Sequence, residues 1–200
     1  LSAPEGYVFD DVRYDVLLES RDHETPVVTV QVKARNDYMP ATITLTKEKE
    51  VLSTDTDGSG MVHTSLIQVP GEGSVFGLYN LKPIACATGD LAEDTLIATA
   101  VSDKAGTITF SGEFPHGSYY VKELSGPDGW QLSTERHAIT VSDEWKTEAN
   151  ELAIRVEEPI VNRLIHADVR VSKTDLTGSD YLPHTLIEVR NEKGETVLKD

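Results

Sequence analysis

Apolar and polar positions alternate along much of this chain with a period of two, and Gly, Pro, Asp and Asn clusters interrupt the alternation at short intervals. A period of two sends successive side chains to opposite faces of a strand. It predicts strands over residues 43–47, 75–79, 95–100, 107–110, 119–123, 137–141 and 151–156, with further strands over 28–36 and 169–173. The turn-forming run 102–106 predicts a hairpin between the strands on either side of it. Residues 48–73 read as an irregular excursion and 81–94 as a loop. No helical period competes. Short strands separated by turns imply an all-β sandwich.

Polar residues end several of the apolar rows. Tyr119, Val121 and Glu123 share one strand face, so a carboxylate closes that row. Lys47 follows Ile43 and Leu45 on a second row, and Asn36 follows Val28, Val30, Val32 and Ala34 on a third. Asn162 falls on the parity of Ile154, Val156 and Ile160. After Glu123 the chain turns through Gly126-Pro127-Asp128-Gly129, where Pro fixes φ and Gly can take φ > 0.

That turn occurs twice. Leu1-Ser2-Ala3-Pro4-Glu5-Gly6-Tyr7 matches Leu124-Ser125-Gly126-Pro127-Asp128-Gly129-Trp130 without a gap. Asn36 precedes Lys47 by the same spacing that separates Asn162 from Lys173. The turn recurs after 123 residues (124 − 1) and the Asn/Lys pair after 126 (162 − 36), and a period of this length is one domain rather than a solenoid unit. The expected organisation is tandem: 1–38 as the end of one repeat, 39–164 as a complete repeat, and 165–200 as the start of another.

Composition changes the picture in three places. The 200 residues carry a formal net charge of −16, which argues against nucleic acid and anionic membrane as partners. One cysteine, Cys86, permits no internal disulfide, and it reads as a small apolar filler. No stretch is long and apolar enough to span a bilayer. The run Ser53-Thr54-Asp55-Thr56-Asp57-Gly58 opens like a calcium loop, but its twelfth position is Thr64 rather than Glu. It reads as a solvated turn, and no metal or cofactor is expected. The six histidines show no ligand spacing, and Tyr7 and Trp130 read as turn-packing aromatics.

The ordered set resembles a known family. It comprises a Lys ending the first strand, the Gly73-Ser74-Val75-Phe76-Gly77-Leu78-Tyr79 strand and the Asp103-x-x-Gly106 turn. Gly117-Ser118-Tyr119-Tyr120-Val121-Lys122-Glu123 with its Pro-x-Gly-aromatic turn follows, and a late Asn162 closes the set. These features resemble the collagen-adhesin B-type (CnaB, or SpaA-like) domains of Gram-positive surface adhesins and pilins. The resemblance implies a Greek-key, Ig-like (CnaB/prealbumin-like) β-sandwich. It also implies an intramolecular isopeptide bond between Lys47 and Asn162, promoted by Glu123. Asn36 and Lys173 would be the equivalent positions of the flanking partial repeats.

The chemistry is consistent with the residue types. An apolar site disfavours both ammonium and carboxylate. A neutral Lys47 amine is then a nucleophile, and a protonated Glu123 can polarise the Asn162 carbonyl and shuttle protons as ammonia departs. Fixing the groups together replaces the concentration that free side chains lack. Taken singly, each residue has a plainer reading: Lys47 as a snorkelling edge residue, Asn162 as a turn former, Glu123 as a solvated acid. Three functions follow. The first is a stalk or shaft module of an extracellular, cell-wall-anchored protein, whose partners are neighbouring repeats of the same polypeptide. The second is a binding module that contacts a host surface protein or glycan through 48–73 and 81–94. The third, an enzyme, has no triad, metal spacing or phosphate loop behind it, and any Lys/Glu/Asn chemistry would be single-turnover. The first is the expected function.

Overall fold

The computed structural model describes residues 3–9, 11–19, 27, 29–85, 89–166, 171–178, 180, 182 and 187–199. Cys86 lies outside them. Nine strands between Pro40 and Asn162 make two sheets: β1 (Pro40–Thr56), β2 (Val62–Pro70), β3 (Val75–Asn80), β4 (Leu96–Val101), β5 (Thr107–Glu113), β6 (Gly117–Ser125), β7 (His137–Val141), β8 (Leu152–Arg155) and β9 (Ile160–Asn162). A 3-10 turn, Asp143–Trp145, follows β7. A short hairpin, β10 (Glu188–Arg190) with β11 (Thr196–Lys199), lies beyond.

The first sheet is built on β1. Its first half pairs antiparallel with β5 on one edge and parallel with β8 on the other, and its second half pairs with β2 and β9. The second sheet runs β4-β3-β6-β7. Alternate residues of the two sheets fill the space between them. Ile43, Leu45, Ile108, Phe110, Leu152, Ile154 and Ile160 come from one side, and Phe76, Leu78, Tyr119, Val121, Ile139 and Val141 from the other. Burying one such side chain contributes roughly 1.5–3 kcal/mol, which is why the period-two pattern fixes the register. The all-β sandwich expected from that pattern is the observed fold.

Three local expectations fail. Residues 48–73 are no irregular excursion: β1 runs on to Thr56 and returns as β2, a long hairpin registered from Glu48↔Pro70 to Thr56↔Val62. Its side chains are mostly exposed on both faces, so burial leaves no clean alternation to read. The Asp57 carboxylate organises its tip, accepting from the Ser59 hydroxyl and from the Ser59 and Met61 backbone N–H groups. These bonds, with His63 alongside, hold Asp57 well below the usual carboxylate range.

The second failure concerns 102–106. The turn is tight, with Gly106 N–H donating to Asp103 O and Asp103 N–H to Thr107 O. Yet β4 pairs with β3 and β5 pairs with β1, so the turn carries the chain between sheets and makes no hairpin. Both strands have one buried face, and turn chemistry alone does not say which neighbour each will take.

The third failure lies in the flanks. Residues 29–36 and 171–173 form no strand, and Val30 and Val32 are exposed. Alternation makes a strand only where a neighbour takes up the backbone N–H and C=O groups, and these segments have none in the sheets. Residues 28, 169 and 170 of those two expected strands lie outside the described set.

Candidate functional site

Lys47 sits where β1 changes partners. Its N–H donates to Gly106 O at 2.6 Å and its carbonyl accepts from Gly71 N–H at 2.9 Å, bridging the end of β5's pairing and the start of β2's. Both glycines are required. A Cβ on Gly106, whose φ is +77°, would stand 2.2 Å from Lys47 O, and one on Gly71 would stand 2.8 Å from Lys47 Cγ. On its opposite edge Lys47 faces Ile160 across the parallel pairing with β9, and Asn162 follows two residues later on the same buried face. Glu123 comes from the second sheet, where β6 is registered opposite Phe76 of β3 beside a bulge.

The three side chains meet in the core. Lys47, Glu123 and Asn162 are 0%, 1% and 2% exposed. Asn162 Nδ2 donates to Glu123 Oε1 at 2.9 Å, and Lys47 Nζ stands 3.9 Å from that same oxygen. Lys47 Nζ also donates to Ile160 O at 3.1 Å and Glu48 O at 2.9 Å. Glu123 Oε2 accepts the Ser133 N–H at 3.0 Å. Each carboxylate oxygen therefore has a donor, whereas Asn162 Oδ1 is buried without a partner. A half-turn of the amide would present that carbonyl oxygen to Glu123, which only a protonated carboxyl could hold.

Burial lowers the Lys47 pKa from 10.5 to about 8, with Glu123 and Glu48 partly offsetting the effect. The amine can thus be neutral within an ordinary pH range.

The Pro-x-Gly-Trp turn closes over this site. A Cβ on Gly126 would lie 3.1 Å from Glu123 Oε1 and 3.2 Å from Asn162 Nδ2, so the bare Cα lets the turn pack on the carboxyl and amide. Trp130 Nε1 donates to Glu50 O at 2.5 Å, and Lys49 Nζ lies 4.4 Å from the ring centre. The Leu164 N–H donates to the Glu50 carboxylate at 3.2 Å. These contacts agree with the turn-packing role expected of Trp130.

The other sequence candidates are not brought together. Asn36 is half-buried and Lys173 exposed, and neither reaches the central site. The first turn nonetheless mirrors the second. Val8 N–H donates to Asp37 O and Met39 N–H to Gly6 O, as Gln131 N–H donates to Arg163 O and Ile165 N–H to Gly129 O. Tyr7 bridges to Tyr38 and stacks on it at 4.7 Å, as Trp130 bridges to Leu164. Sequence reasoning missed Ser74, Gly71 and Ser133. Ser74 reads only as the start of the Gly73–Tyr79 strand motif, and a backbone N–H has no sequence signature. Among the described residues no group of three or more His, Cys, Asp or Glu side chains is placed to hold a metal ion.

Residues 69–153 match the family model of the SpaA prealbumin-like fold domain. No curated protein matches the chain. Among solved structures the chain is similar to the Bacillus anthracis TIE protein, with 20% identity and a TM-score of 0.61, covering 100% of this chain and 30% of that one. It is also similar to GBS52, the minor pilin of Streptococcus agalactiae, with 19% identity, coverage of 69% and 50%, and a TM-score of 0.41. The major pilin SpaD of Corynebacterium diphtheriae is a third, with 18% identity, coverage of 62% and 32%, and a TM-score of 0.37. This chain matches only 30% to 50% of the length of those proteins. At 20% identity the likeness to the TIE protein is one of fold.

Proposed function

We propose that this chain, whose central domain is CnaB/SpaA-like, is a stalk or shaft module of a Gram-positive surface protein, an adhesin or pilin. A Lys47–Asn162 isopeptide bond formed with the help of Glu123 locks it. One observation carries the reading: the Lys47 amine and the Asn162 amide nitrogen flank one Glu123 oxygen in a water-poor core. The three residues come from β1, β9 and β6, so a bond would tie the first strand of the sandwich to its last.

In the proposed reaction the neutral Lys47 amine attacks Asn162 Cγ. A proton from Glu123 reaches Nδ2, the Cγ–Nδ2 bond breaks, and Glu123 regains a proton from Nζ. One C–N bond forms, one breaks, and one ammonia leaves. Burial keeps water from competing, and the turn over the site holds the reactants in place. The closed loop spans more than a hundred residues, and such a closure contributes about 4–5 kcal/mol on the loop-entropy scale. Repeats of the same polypeptide would be the module's neighbours, with 1–38 and 165–200 belonging to them. The mirrored hydrogen bonds of the first turn support that organisation. The cell surface, with anchoring to the wall, is the expected location.

A second reading has an observation of its own. Leu52 and Leu66 are cross-strand partners on the β1–β2 hairpin and both are about half exposed, which suits a contact surface for another protein.

Intact mass under denaturing conditions tests the first reading. The parent should be one ammonia lighter than its sequence, and Glu123→Ala should carry its full sequence mass. If both carry the full mass, the cross-link is absent and the contact-module reading replaces it.

A further inference from the structure

Ser74, immediately ahead of β3, is 0% exposed, and its hydroxyl oxygen has no hydrogen-bond partner. Its backbone is held firmly: the Ser74 N–H donates to Ser102 Oγ at 2.9 Å, and Ser74 O accepts from Ser102 N–H at 2.9 Å. The side chain is therefore delivered to a fixed place rather than left to rotate into solvent. That place borders the Glu123–Asn162 pair across Gly126. The point where Gly126 lacks a Cβ is 3.1 Å from Glu123 Oε1, 3.2 Å from Asn162 Nδ2 and 3.5 Å from Ser74 Oγ. A buried hydroxyl without a partner is unfavourable, and alanine would fill the same space without that cost. Two unpartnered buried oxygens thus belong to one cluster, Ser74 Oγ and Asn162 Oδ1.

Resting on the isopeptide reading above, we infer that Ser74 is a positioning residue for bond formation, its hydroxyl accepting an N–H from the amine as it leaves Asn162. In the ground state the amide is planar, and Nδ2 gives one N–H to Glu123. When Lys47 adds to Cγ, the carbon becomes tetrahedral and Nδ2 gains a third proton. Glu123 can hold one of the three, and Ser74 Oγ offers an acceptor for another because a hydroxyl carries two lone pairs and a rotatable proton. The interaction is made chiefly as the C–N bond breaks, so it accelerates the step rather than stabilising the resting fold. No atom of Ser74 enters the product, and ammonia is the only species released.

The test follows chains from cell-free synthesis, quenched in acid denaturant at intervals and weighed. Ser74→Ala should lose ammonia about two- to tenfold more slowly than the parent, the range of one neutral hydrogen bond. Its rate should also level off at lower pH than the parent's, because expelling an amine needs the proton that rising pH removes. In a Glu123→Ala background, where no bond forms, adding Ser74→Ala should leave the melting temperature unchanged or raised. A Ser74→Ala rate equal to the parent's overturns the inference, and so does a lowered melting temperature in that background, which would make the hydroxyl structural. If the parent loses no ammonia, the cross-link reading fails and the role of Ser74 fails with it.

Discussion

The chain contains one turn in two settings. Residues 124–130 and 1–7 share a sequence pattern, and Gly129 and Gly6 both take positive φ, +92° and +80°. Both turns pair an aromatic with a residue two places after an Asn, by the same backbone hydrogen bonds. Only the second lies over a buried Lys, Glu and Asn. Beneath Gly6 lies the His116 ring, 3.0 Å from where a Cβ would stand, with Asp143 3.3 Å from its Nε2. The turn is therefore a docking device independent of the chemistry below it, and the chemistry depends on what three other strands bring to it.

The two settings should differ most at the residues of the proposed cross-link. Lys47→Ala should abolish the ammonia loss and lower stability by about 4–5 kcal/mol, read by denaturant unfolding. Asn36→Ala, at the matching sequence position ahead of Tyr38, should change stability by no more than about 0.5 kcal/mol. Equal losses would show that the two turns cover equivalent sites.

Glycine substitutions come next. Gly126→Ala places a methyl against Glu123 and Asn162 and should slow bond formation, seen as residual unmodified mass in freshly made protein. Gly6→Ala must adopt a left-handed backbone and displace His116, costing about 1–2 kcal/mol. It should loosen residues 3–8 to hydrogen exchange while leaving the mass loss intact.

Solution pH sharpens the same contrast. With Lys47 near 8, each unit below that cuts the neutral amine about tenfold, so bond formation should slow as pH falls from 8 to 6. In Asn162→Ala, which cannot cross-link, burial of the ammonium carries its full cost below about 8. Between about 8 and 10.5 the unfolded chain keeps a proton that the folded one has shed, so stability should rise with pH. A stability that is flat or falling across that window would contradict a buried, depressed lysine. A modest loss is expected from Trp130→Phe, which removes the bond to Glu50 O and should cost about 1 kcal/mol without stopping the reaction.

The sequence made the site legible because a strand's parity is rigid. Lys47, Glu123 and Asn162 each end an apolar row, and a residue in phase with Ile43 and Leu45 or with Tyr119 and Val121 has nowhere to go but inward. What stayed hidden depends on partners rather than parity. The exposed hairpin after Lys47 has no buried face to mark it, and the 102–106 turn does not announce that its strands join different sheets. Ser74 opens the Gly73–Tyr79 strand motif with nothing to mark a buried hydroxyl, and its place near Gly126 and the Glu123–Asn162 pair arises only when β3 lies against β6. The valine row of 29–36 shows the converse: the pattern is present, but without a neighbouring strand it makes no strand.

The parallel pairing of β1 with β9 has a mechanical consequence. Tension entering ahead of Pro40 and leaving beyond Asn162 would drag the two strands past each other along their length. Their ladder would then be loaded all at once, in shear, rather than opened one rung at a time. A covalent tie from Lys47 to Asn162 would route that load across a single amide. The chain between them, more than a hundred residues and roughly 300 Å or more if drawn out, would carry none of it.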